Sequence, residues 1–315
     1  MQLSPELIRE AAVRIRPLAR RTPVMTSRSV DERAGVRVFL KCENFQRGGA
    51  FKIRGASNLI LSLSKDELTR GVVAFSSGNH AQGVAIAAQY AGTEATIAMP
   101  ADSPRSKMEA TRALGARILI YDRLREDREA IAARVVGEKG GTLVPPYDHP
   151  LIMAGQGTTA LELLEDQPEI DALVTPAGGG GLLSGCATIA KSLRPGIRIF
   201  GAEPERANDM ALSFAAGKRI EIPPPETIAD GLRSPIPGKL TFPVIQRLVE
   251  KILLVSEEQI KETMRFLMER MKIVVEPSGA VGVAAVMNGM LPAGIRSVGV
   301  VISGGNVDLD FLKTL

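Results

Sequence analysis

Tryptophan is missing from the 315 residues, and histidine and cysteine occur twice each and tyrosine three times. Each scarcity removes a class of function. Two histidines leave little from which to build a histidine-rich metal centre or a serine–histidine–aspartate triad. Cys42 and Cys186 stand far apart and form no CxxC pair, so neither a disulfide framework nor a structural zinc site is indicated, and a reducing cytoplasm fits. Few rings are available to stack bases, and the net charge of +4 is spread along the chain, which argues against nucleic acid as a partner. No apolar run is long enough to span a bilayer, and residues 1–8 lack a basic stretch followed by an apolar one. Neither membrane insertion nor secretion is expected.

What is present is ordinary for a globular protein: 45% hydrophobic and 23% charged residues, in a chain long enough for two lobes. Ser4-Pro5-Glu6 opens an amphipathic helix, with Pro5 in its first turn. A strand over 36–41 leads into a glycine-rich loop, and helical spacing follows over 56–63. From Gly71 the pattern alternates: strands at 72–75, 95–99 and 117–121, helices at 81–90 and 103–114. Such alternation implies parallel strands joined by crossovers, hence a small α/β lobe over 66–148. The proline-rich stretch 144–150 reads as a linker returning the chain to a larger lobe made of 1–65 and 149–315. There a helix over 156–164 precedes a second alternating series: strand 172–175, a glycine run, helix 183–193 and strand 197–203. A long helix over 257–271 and a last buried strand at 298–302 follow. His149 and the helically spaced Met264, Met268 and Met271 suggest no chemistry.

Four stretches carry candidate chemistry. In 41–55, Lys52 stands among Gly48, Gly49, Phe51 and Ile53, which draw the backbone inward. Burial disfavours the ammonium form and yields a nucleophilic amine able to condense with a carbonyl, although a lysine whose head reaches water would have similar neighbours. Gly178-Gly179-Gly180-Gly181-Leu182 lies between a strand and a helix, so its bare amides make an anion cradle suited to phosphate. It is no Walker loop. A dinucleotide site is the rival, because Gly179, Gly181 and Ser184 partly match GxGxxG, with Glu203 about 20 residues on. Ser76-Ser77-Gly78-Asn79-His80 is another strand-to-helix turn, either a carboxylate site or a helix cap. Ser303-Gly304-Gly305-Asn306 ends the final strand.

These stretches, in this order, resemble the fold-type II pyridoxal-phosphate enzymes, and within them the serine racemase and threonine/serine dehydratase family. Residues 155–158, 225–231 and 276–282 also look like segments of that family, so the likeness runs over nearly the whole chain. It implies a two-lobed α/β fold of the tryptophan synthase β type, with mostly parallel sheets flanked by helices. It further implies that Lys52 holds pyridoxal 5'-phosphate covalently beside Phe51, that Gly178, Gly179, Gly180, Gly181 and Leu182 take its phosphate, and that Asn79 meets its ring oxygen. Ser303 would meet the ring nitrogen, which a hydroxyl cannot keep protonated as a carboxylate would. Ser76, Ser77, Asn79 and His80 would bind the substrate, with Lys52 and Ser77 catalytic on opposite faces of the ring. Glu203, the Ala207 carbonyl and Asp209 match a Mg2+ or Ca2+ site.

The implied activity is α,β-elimination of L-threonine or L-serine to 2-oxobutanoate or pyruvate and ammonia by a cytoplasmic homodimer. Serine racemisation and 3-hydroxyaspartate ammonia-lyase activity are alternatives, and a non-catalytic phosphate- or nucleotide-binding module a remote one. The nucleotide-effector set of animal serine racemases is matched at Ser27, Gln82, Lys272 and Asn306 but not at Arg28, Gly48 and Leu114, which argues against ATP activation. Ala50 and Tyr147 also depart from residues common in the family.

Overall fold

The two alternating series in the sequence become two sheets. The computed structural model describes residues 2–315 except 77, 104, 123 and 124, and of 105–107 and 139 the backbone alone. Its strands are β1 (Val24–Met25), β2 (Arg37–Cys42), β3 (Val72–Phe75), β4 (Ala95–Pro100), β5 (Arg117–Tyr121), β6 (Thr142–Leu143), β7 (Ala172–Pro176), β8 (Arg198–Pro204), β9 (Lys251–Val255) and β10 (Ser297–Ile302). One sheet has the order β1-β2-β10-β7-β8-β9 and the other β5-β4-β3-β6. Only β1 runs antiparallel to its neighbour; the other described pairs are parallel. This is the α/β architecture that the alternation predicts.

Both faces of the larger sheet are covered, which is why β7 and β10 are buried along their whole length. Val38, Leu40 and Cys42 of β2 point one way, into a core shared with the helix Pro277–Met287. Phe39, one residue out of phase, joins the opposite core with the helices Pro150–Asp166 and Gly181–Leu193. The helix Lys52–Ile60 lies where the sheets meet. Its Ile53, Ala56, Leu59 and Ile60 pack with Val72, Ala74 and Ile97 of the smaller sheet.

The opposite side of that helix is held by charge. Arg54, wholly buried, reaches both carboxylate oxygens of Glu43 at 2.8 Å and both of Glu162 at 2.7 and 2.8 Å. Lys41 donates to Glu162 and to the Thr22 carbonyl, each at 2.7 Å. Burial alone would raise Glu43, but Arg54 and Lys41 hold its carboxyl below the usual range. Two cations and two anions thus fix Lys52–Ile60 against the larger sheet, a network the sequence reading missed because its members are scattered over 122 positions.

Several elements differ from expectation for identifiable reasons. The helix expected from residue 56 starts at Lys52, because Phe51 is already helical at φ −58° and ψ −19°. The helix expected from 156 starts at Pro150, since the His149 imidazole accepts from the Leu151 amide at 3.2 Å and proline suits a first turn. His149 therefore has a capping role that the linker reading denied it. The helix Pro277–Met287 is buried all round and so offers no apolar periodicity to read. The long helix expected to 271 ends at Phe266 and gives way to a π-turn, Leu267–Met271, followed by Lys272 at φ +60°.

Candidate active site

Neighbouring strands β2, β10 and β7 present their carboxyl ends together, the edge of a parallel sheet where ligands gather. β2 leads through 43–51 to Lys52, β10 ends at Ser303, and β7 runs into the glycine loop. From the other sheet, β3 leads into Ser76. Phe51, Lys52, Ser76, Asn79, His80, Gly178, Gly179, Gly180, Gly181, Leu182 and Ser303 consequently line a single cavity. Ser77 lies outside the described residues. Glu276, Ser278, Pro146, Tyr147, Ser234, Arg128 and Arg233 line the same cavity without having been assigned to it from sequence.

The Lys52 amine donates to the Pro146 carbonyl at 2.8 Å and lies 5.2 Å from the centre of the Phe51 ring. Burial lowers its pKa to about 8, against the opposing pull of the Glu276 carboxylate. Near neutral pH a useful share of the side chain is therefore the free amine. The Phe51 amide donates to the Ser303 carbonyl at 3.0 Å, tying the lysine to the end of β10.

The glycine loop is shaped as the sequence suggests. Gly180 has φ +94° and its amide closes a turn onto the Ala177 carbonyl at 3.0 Å. Gly181 opens a helix of 13 residues, whose first-turn amides, those of Gly181 and Leu182 included, have no intrahelical acceptor. Side chains are excluded by neighbours as well as by conformation. A Cβ at Gly179 would sit 2.5 Å from the Tyr147 ring, and one at Gly180 2.7 Å from the Thr241 hydroxyl. Bare amides at a helix N-terminus, in one cavity with a lysine whose pKa is depressed, form a donor set that fits a phosphorylated aldehyde.

Asn79 is held from both ends: its amide donates to Glu276 at 2.7 Å and its oxygen accepts from Asn306 at 2.9 Å. Asn306 also donates to the Gly48 carbonyl at 2.7 Å. Glu276 thus contacts Asn79 and biases Lys52, a role the segment 276–282 gave no sequence signal for. His80 is buried; burial and Lys52 push its pKa down to about 3, so the ring is neutral and donates from Nε2 to the Val144 carbonyl at 2.8 Å. The Ser76 hydroxyl accepts from the Gly78 amide at 3.2 Å, and that of Ser303 donates to the Ser278 carbonyl at 3.4 Å.

Glu203 and Asp209 face each other elsewhere, at the end of β8, and both are fully buried, as is Ala207. Burial and the facing Asp209 raise the Glu203 carboxyl, and burial pushes Asp209 up to about 8. Glu203 Oε1 and both oxygens of Asp209 have no protein partner. Two carboxylates and a carbonyl are hard oxygen donors of the kind Mg2+ and Ca2+ take, although no group of three or more ligating side chains occurs among the described residues. Glu203 does not line the cavity of the glycine loop, which removes its part in a dinucleotide site. No helix among the described residues is long and apolar enough to cross a membrane.

Known proteins resemble the chain in sequence and in fold. The chain is 48% identical over 306 residues to an L-threo-3-hydroxyaspartate ammonia-lyase of Saccharomyces cerevisiae, covering 97% of this chain and 94% of that one. It is 42% identical over 310 residues to an L-threonine ammonia-lyase of Thermotoga maritima, covering 98% and 77% respectively. The structure of maize serine racemase superposes with a TM-score of 0.96 at 45% identity, covering 100% of this chain and 97% of the other. These neighbours are fold-type II enzymes, and a family match over 15–304 takes in Lys52, the Ser76–His80 stretch, the glycine loop and Ser303. With a buried amine and an anion cradle sharing one cavity, the chain belongs to the pyridoxal-phosphate dependent enzymes.

Proposed function

We propose that the protein eliminates water from small β-hydroxy amino acids, L-threonine and L-serine first, giving 2-oxobutanoate or pyruvate and ammonia. The observation that carries this reading is the single cavity lined by Lys52, the glycine loop and the Ser76–Asn79 turn. When bound, pyridoxal phosphate supplies an aldehyde for covalent attachment and a ring that draws electron density from the substrate Cα. The amides of Gly181 and Leu182 would hold its phosphate, Phe51 and Asn79 its ring, and Ser303 its nitrogen.

The chain's own residues then do the rest. Ser76 and the backbone amides of Asn79 and His80, at the start of the helix Asn79–Ala91, orient the substrate carboxylate. Lys52, its pKa brought to about 8 by burial, takes the proton from Cα. The electron pair of that C–H bond forms the Cα–Cβ double bond as the β-hydroxyl leaves with a proton as water. The released enamine tautomerises and hydrolyses to the 2-oxo acid and ammonia. Ser303 offers a hydroxyl where a carboxylate would hold the ring nitrogen protonated, so with the group bound it would favour departure of the β-substituent over slower competing reactions.

A second reading, 3-hydroxyaspartate as substrate, is favoured by Arg128, a cation lining the cavity that a β-carboxylate would pair with. A third, serine racemisation, needs Ser77 to return a proton from the face opposite Lys52. Assay of 2-oxo acid from L-threonine, L-serine and L-threo-3-hydroxyaspartate, with chiral analysis of residual serine, separates them. The proposal expects oxo acid from threonine and serine; turnover of hydroxyaspartate alone, or racemisation without oxo acid, would replace it. Glu203, the Ala207 carbonyl and Asp209 are assigned a divalent cation on the strength of the unpartnered carboxylate oxygens of Glu203 and Asp209. A homodimer is expected from the family and is checked by light scattering.

A further inference from the structure

We infer that Asp148 and Thr241 are positioning residues that hold the glycine loop in its anion-binding shape; the inference rests on the reading of Gly178–Leu182 as the phosphate cradle. One Asp148 oxygen accepts from the amides of Leu240 at 2.8 Å and Thr241 at 3.2 Å, and the other from that of Lys239 at 2.8 Å. Three backbone donors on one carboxylate fix the entry to the helix Thr241–Leu248. The backbone is built around that contact: a Cβ on Gly238 would fall 2.3 Å from the Asp148 carboxylate.

The helix entry in turn holds the loop. Thr241 is fully buried, and its hydroxyl donates to the Gly179 carbonyl at 2.7 Å, with the Gly238 amide adding a longer contact at 3.2 Å. Holding that carbonyl fixes the plane of the Gly179–Gly180 peptide. With Gly180 at φ +94°, this sets the direction of the Gly181 and Leu182 amides that follow. The two residues before Asp148 reach the same site, Pro146 through the Lys52 amine and Tyr147 through its ring beside Gly179. A segment that reads as a plain linker therefore sets the spacing between amine and cradle.

The test compares two probes on the chain freed of cofactor: pyridoxal phosphate, which needs the cradle, and pyridoxal, which needs only Lys52. Thr241→Val should weaken pyridoxal phosphate binding about 5- to 10-fold, as loss of one hydrogen bond implies, and leave pyridoxal affinity unchanged. Thr241→Ser, which keeps the hydroxyl, should bind both probes as the parent does. Asp148→Ala should show the same selectivity with a larger loss; if it fails to fold, the threonine pair decides. Unchanged pyridoxal phosphate affinity in Thr241→Val, or an equal loss for both probes, would overturn the inference. Equal affinity of the parent for the two probes would instead remove the cradle reading itself.

Discussion

The Lys52 amine and the Pro146 carbonyl, 94 residues apart in the chain, are 2.8 Å from each other. The contact joins the helix at the meeting of the two sheets to the segment that returns the chain from β6. It keeps the amine in the cavity that the glycine loop also lines, near a carboxylate that only partly offsets burial.

The depressed pKa has a kinetic sign. Below about 8 the amine is mostly protonated, so capture of pyridoxal by the cofactor-free chain should quicken about tenfold per pH unit and level off above pH 8. An unperturbed lysine would go on gaining rate to about pH 10.4. Stopped-flow absorbance across pH 6 to 10 distinguishes the two profiles, and a rise that continues past pH 9.5 would contradict the burial assigned to Lys52.

Arg54→Met leaves the buried Glu43 and the partly buried Glu162 with Lys41 as the one remaining cation of the network. A loss of about 3–5 kcal/mol in urea unfolding is expected, the range for breaking a buried pair from one side. Replacing Glu43 by Leu in the same chain should recover part of it. A change within 1 kcal/mol for the single variant would mean that the network does not hold the lysine's helix in place.

Much of this was legible beforehand. The glycine loop, the lysine stretch and the Ser76–His80 turn declared themselves because each needs an unusual composition at a strand end. The network around Arg54 did not, since charged residues are ordinarily solvated and only folding brings Lys41, Glu43 and Glu162 to one point. Asp148 and His149 were hidden for a related reason: a proline-rich stretch has no period, so nothing marks that His149 caps the helix that follows it or that Asp148 holds the entry to the helix Thr241–Leu248. Glu276 sat in plain view in 276–282, but its action on Lys52 is a distance across the fold, and Pro277–Met287 behind it lacks the amphipathic rhythm that betrays a helix.

Gly179→Ala forces a methyl group against the Tyr147 ring. Overpacking of this kind costs about 1–3 kcal/mol, and because the strain falls on the cradle it should appear as a 10- to 100-fold weaker grip on pyridoxal phosphate. Tyr147→Ala in the same chain should restore most of the affinity. Additive losses in the double variant would place the two residues in separate effects.

Mg2+ or Ca2+ at one hundred times its Kd should stabilise the chain by about 2.7 kcal/mol, read as a higher midpoint in thermal unfolding. Glu203→Gln and Asp209→Asn should each abolish that increment without touching cavity residues. An increment that survives both substitutions would move the cation elsewhere.

The most direct measurement is reduction of the purified protein with borohydride in the presence of pyridoxal phosphate, followed by peptide mapping. The account predicts loss of the visible absorbance and a phosphopyridoxyl mass on the peptide carrying Lys52, with no label and no turnover in Lys52→Ala. A label on another lysine, or undiminished turnover in that variant, would contradict it.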